Sequence, residues 1–155
     1  MNPDSNLTAF ARNNRTCMIA HTATAGVMLL LLFLQAATRG INPAVLTISC
    51  ILGIAPVAAE LLYWKKNHET TAIRHLVGNG FAVFFTFYIY TSTTFMASVF
   101  VIPMIVVISL YNNKKFSLLV NTGVVIETII LAVIGIQSGK YSYPDSDTAI
   151  IHVIF

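Results

Sequence analysis

Long apolar runs alternate with short polar gaps along this chain, and their lengths match a bilayer better than a soluble core. A helix rises ~1.5 Å per residue and a hydrocarbon core is ~30 Å thick, so about 20 apolar residues make one crossing. On that rule the pattern predicts helical spans over residues 16–38, 43–64, 74–90, 94–111 and 116–136. Apolar character persists from Leu76 to Tyr111, which is too long for one crossing, and the polar break Thr91-Ser92-Thr93-Thr94 divides it. Residues 148–155 open another apolar run. Eight helical residues reach only ~12 Å, so they read as the start of a sixth span in a fragment, with a short re-entrant or interfacial tail as the alternative. The predicted fold is all-α: a polytopic transmembrane bundle of five spans plus a truncated sixth, preceded by a cytoplasmic lead over residues 1–15.

Composition strengthens this picture. Hydrophobic residues make up 56% of the chain and charged residues 10%, against about 25% charged in soluble domains. The few charges cannot cover a water-facing surface, but they do orient the chain. Of the nine Lys and Arg residues, seven (Arg12, Arg15, Lys65, Lys66, Arg74, Lys114, Lys115) fall in one set of alternate gaps. The other set holds only Arg39 and Lys140. Cytoplasmic loops carry the excess of basic residues, so the N-terminus is predicted inside the cell membrane. Tyr63, Trp64 and Tyr111 then lie at inner span ends, and Tyr88, Tyr90, Tyr141 and Tyr143 at outer ends, where amphipathic rings favour the interface. The basic residues form no stripe, which argues against nucleic acid as a partner. A secretory signal peptide also pairs basic residues with an apolar core, but no small-x-small cleavage site follows the first run.

Five polar side chains within the spans are the candidates for function. Glu127 lies near the middle of the fifth span, where a charged residue costs ~2.5–3.5 kcal/mol to insert. It reads either as a proton- or ligand-responsive carboxyl or as a neutral interhelical hydrogen-bond donor. His21, Glu60, Asn79 and Asn121 lie at one shared depth near the inner boundary and are expected to form a polar layer joining four helices. For Glu60 the alternative is snorkelling to the interface. Pro56 and Pro103 fall inside spans and are candidate helix kinks, because proline removes a backbone hydrogen bond. Gly78 and Gly80 flank Asn79 and invite close approach of a neighbouring helix. Cys17 and Cys50 read as small buried residues. His68 and His75 are seven apart in a cytoplasmic loop and read as solvated. No catalytic signature such as HExxH, GxSxG or a Walker loop occurs, so neither enzyme chemistry nor a cofactor or metal is expected.

The loop residues carry a resemblance. Pro56-x-x-x-Glu60-Leu-Leu-Tyr63-Trp-Lys65-Lys-Asn-x-Glu-x-x-Ala-Ile73-Arg74-His, then Gly80-Phe-Ala-Val-Phe-Phe-Thr-Phe-Tyr, and Phe100-Val-Ile-Pro103 through Tyr111-Asn-Asn-Lys114-Lys115 form the matching stretches. Over about residues 12–155 the chain resembles the N-terminal multi-span membrane module of clostridial-type methyl-accepting chemotaxis proteins. Similar modules head diguanylate cyclases and sensor histidine kinases. The resemblance implies six spans with both ends inside and a cytoplasmic coiled-coil signalling region after the last span. It also implies a homodimer or larger receptor array in the bilayer that controls a cytoplasmic kinase through an adaptor. It assigns no ligand residues. A small multi-span transporter component, with Glu127 as the coupling carboxyl, is the competing expectation.

Overall fold

The computed structural model describes residues 7–92, 99–111 and 113–137. Five helices follow one another: α1 (Ala9–Arg39), α2 (Pro43–Lys66), α3 (Thr71–Thr91), α4 (Val101–Ser109) and α5 (Lys114–Gln137). No strand occurs among the described residues. α1, α2, α3 and α5 are each long and apolar enough to cross a membrane. α4 rises only ~14 Å. Residues 93–98, where the predicted fourth span begins, lie outside the described residues, and so do residues 138–155 with the expected sixth span.

Local chemistry explains the helix ends. The Thr8 hydroxyl accepts a hydrogen bond from the Ala11 amide at 3.3 Å and caps α1. Helix α1 therefore begins at Ala9, well before the predicted start at residue 16, and the first turns carry Arg12 and Arg15. At 31 residues it is ~46 Å long, so its ends project beyond a ~30 Å core. Gly40 ends α1 at φ 72°, a conformation open to glycine, and its amide donates to the Ala36 carbonyl. Three residues later Pro43 opens α2, where its missing N–H costs nothing, behind the Asn42 cap. Thr70 caps α3, and the Asn113 side chain accepts from the Phe116 amide at the start of α5.

Helix α3 is the hub, packing against all four others, whereas α2 packs mainly on α1 and α3. The core centres on Phe81, Phe84 and Phe85, each at most 1% exposed, with Met28 and Leu32 from α1 and Met104 and Ile108 from α4. Leu30, Leu62, Val106, Leu119 and Ile130 point outward and are exposed. In a bilayer these outward faces meet lipid tails.

Glycines set the tightest contacts. A β-carbon on Gly78 would lie 2.7 Å from the Phe116 ring, which also meets the His75 ring edge-on at 5.2 Å and the Arg74 guanidinium at 5.1 Å. Together these contacts seat α5 on α3. The close approach expected beside Asn79 is thus present on both sides, with Phe116 over Gly78 and Pro56 against Gly80. Pro103 falls in the first turn of α4, where backbone N–H groups have no intrahelical partner. It follows closely on a 3₁₀ turn at Val99 and Phe100, and the upstream part of the span on which the expected kink depends lies outside the described residues. Pro56 does lie inside α2.

Candidate functional site: a polar seam on the first helix

Seven buried residues on α1 follow spacings of three and four: Ala11, Asn14, Met18, His21, Ala25, Met28 and Leu32. That spacing keeps them on one helix face. Cys17 and Thr24 border the same face and are also buried. The first half of the face is polar and the second half, from Ala25 onward, is apolar.

Each polar member of this seam meets a different part of the bundle. The Asn14 amide donates to the carbonyls of His68 at 2.8 Å and Thr70 at 3.2 Å, holding the α2–α3 turn. Beside it, Asn13 donates to the Leu110 carbonyl at 2.7 Å and holds the end of α4. The Cys17 thiol donates to the Val107 carbonyl at 3.3 Å and lies next to the Tyr111 phenol. His21 reaches α2, where its Nδ1 lies 2.6 Å from Oε1 of Glu60. Thr24 bonds back to the Ala20 carbonyl of its own helix.

The His21–Glu60 pair is the centre of the seam, and both side chains are fully buried. One proton links Nδ1 and Oε1. Either the imidazole N–H donates to a carboxylate, or a carboxylic O–H donates to the bare nitrogen. Nε2 of His21 and Oε2 of Glu60 have no hydrogen-bond partner. The imidazole packs edge-on against Phe81, with ring centroids 6.2 Å apart, and its Cε1 faces Gly80. Three helices therefore enclose the pair, which can hold, lose or exchange a proton only through its own two groups or by a change in packing.

The four-residue layer expected from depth alone is narrower in the structure. His21 and Glu60 meet, and Glu60 does not snorkel. Asn79 is exposed, on the side of α3 that faces a groove against α2. Asn121 donates to Ser117 of its own helix at 3.2 Å, and its Oδ1 is buried without a partner. Depth fixes how far along a helix a residue lies but not which way it faces. Glu127 is half-buried on α5 beside Thr86 of α3, and its Oε1 has no partner. It pairs with neither His21 nor Glu60. No group of three or more His, Cys, Asp or Glu side chains that could hold a metal ion occurs among the described residues.

Asn13 and Asn14 were not among the sequence candidates, because they sit in the stretch taken as a polar lead. The signal that finds Asn14 is its spacing, four before Met18 and seven before His21.

No protein-family model, curated protein or solved structure matches this chain.

Proposed function

We propose that this chain is the membrane sensory and anchoring module of a bacterial chemotaxis-type signal-transduction receptor. The observation that carries the reading is the polar seam at the basic end of α1. One helix face is tied by hydrogen bonds to α2, to the α2–α3 turn and to α4. A small rotation of α1 would change all of these contacts together. Such a face suits a bundle with two alternative packings, which a signal selects by binding one better than the other. Above Thr24 the face becomes apolar, so the seam offers no continuous polar path along α1, as a conduction route would need. The resemblance of the loop residues supplies the finer assignment, with a cytoplasmic kinase as the output and a dimer or array as the working assembly. A diguanylate cyclase or histidine kinase in place of the chemotaxis output leaves the membrane mechanism unchanged.

Kinase-control assays on the full-length receptor test the reading, comparing the native spans with a plain single-span anchor. Loss of the stimulus response in the anchored form is expected. An unchanged response removes the sensory role and leaves an anchor.

One observation favours a second reading. Half-buried Glu127, with an unpartnered oxygen, suits the coupling carboxyl of a small transporter component. Reconstituted flux that disappears in Glu127→Gln supports that reading, and the absence of flux in the native chain removes it.

A further inference from the structure

Two adjoining cavities of about 420 and 430 Å³ lie between α2 and α3 and share Pro56, Leu76, Asn79 and Gly80. They form one groove on the outer side of the bundle. One end is apolar, lined by Leu52, Ala55 and Val83. The other is lined by Tyr63, Ala72 and His75. From Ala72 to Val83 the groove runs ~16 Å along α3, about half of a ~30 Å hydrocarbon core. Its length therefore fits one leaflet.

Polar groups along the groove are graded in the same direction. Asn79 is exposed in an otherwise apolar stretch, and its amide makes no hydrogen bond among the described residues. An unsatisfied amide facing hydrocarbon is costly, so it calls for an acceptor that lipid itself can supply. One turn lower, ~6 Å by helical rise, the exposed His75 ring borders the groove. Lys66 continues the α2 row that holds Ala59 and Tyr63, seven and three residues on, and both Lys65 and Lys66 are exposed. The acidic residue of this turn, Glu69, lines a separate cavity against Leu7 and Thr8, and Lys66 borders that cavity too, so two exposed lysines stand against one acid at this end of the groove.

We propose that this groove binds one anionic phospholipid. The phosphate lies at the mouth, beside the His75 N–H and within the field of the exposed Lys65 and Lys66 just beyond it. The glycerol ester carbonyls accept from the Asn79 amide one turn deeper. One acyl chain then fills the apolar half, against Ala55, Pro56 and Val83. Charge complementarity at the mouth selects an anionic headgroup, because a zwitterionic one carries its own cation beside the phosphate. The inference rests on the membrane reading of the chain, but not on its chemotaxis assignment.

Native mass spectrometry tests it, using the full chain purified in detergent with equimolar dioleoyl phosphatidylglycerol and dioleoyl phosphatidylcholine. One retained phosphatidylglycerol is expected, favoured over phosphatidylcholine about five- to twentyfold, since each nearby lysine contributes about fivefold. Lys65→Gln with Lys66→Gln should bring the preference close to one. Ala55→Trp fills the groove and should abolish retention of both lipids. Asn79→Leu should weaken both lipids equally while leaving thermal melting unchanged or raised, as fits an exposed amide with no protein partner. Leu119→Trp, on the exposed face of α5, should retain phosphatidylglycerol as the native chain does. Equal retention of the two lipids by the native chain overturns the proposal, as does retention unaffected by both Ala55→Trp and Asn79→Leu. A chain that fails to co-float with phosphatidylglycerol vesicles overturns the membrane reading instead, and floating without retained lipid overturns only the groove.

Discussion

Gly80 of α3 and Pro56 of α2 are in such close contact that a β-carbon on Gly80 would lie 2.6 Å from Pro56 Cβ. The proline ring is fixed to its backbone and cannot swing aside. The same hypothetical β-carbon would lie 3.5 Å from Cε1 of His21, so this contact also forms the floor of the buried pair.

Gly80→Ala should therefore push α2 away from α3 and cost about 1–3 kcal/mol, in the range of overpacked cores. Gly26→Ala meets no atom within 4 Å and should be neutral or stabilising by up to about 1 kcal/mol, through helix propensity alone. Thermal unfolding of both variants in detergent checks the contrast. Equal melting shifts would mean that the α2–α3 contact is not as close as described.

Breaking the His21–Glu60 pair on one side leaves a buried polar group with nothing to bond. His21→Leu or Glu60→Leu alone should each cost about 3–5 kcal/mol, whereas the double replacement should recover most of that loss. A double-mutant cycle on denaturant unfolding measures the coupling. Additive losses would show that the two side chains act independently.

Asn14→Ala removes both hydrogen bonds to the α2–α3 turn and should cost about 1–3 kcal/mol. Hydrogen exchange should rise at residues 67–70 and remain unchanged at the far end of α3. A uniform rise along the chain would point to global destabilisation without a local latch.

Much of this arrangement was legible in the sequence, and its limits have a physical cause. Runs of apolar residues mark spans because a bilayer constrains length and composition, which are one-dimensional properties. The bounds of α2, α3 and α5 accordingly match the predicted spans to within a few residues. The start of α1 was hidden, because Arg12-Asn13-Asn14-Arg15 reads as a polar lead when only hydropathy is weighed. Of the residues grouped by depth, only His21 and Glu60 also share an azimuth. Asn79 and Asn121 have the depth but face elsewhere.

The basic gaps predict an orientation in the membrane, and labelling checks it. In a Cys17→Ala, Cys50→Ala background, an impermeant maleimide applied to intact cells should label Arg39→Cys but not Glu69→Cys. Permeabilised cells should show both. The reverse pattern would invert the topology and move the polar seam to the outer side.

The chain's single tryptophan, Trp64, meets the His68 ring edge-on with centroids 4.3 Å apart. His68 is also the residue whose carbonyl Asn14 holds. The protein thus carries an intrinsic optical probe at the joint where α1 grips the α2–α3 turn. Any stimulus that loosens that grip should alter the emission of this one indole, so the response of the bundle can be followed without attaching a label.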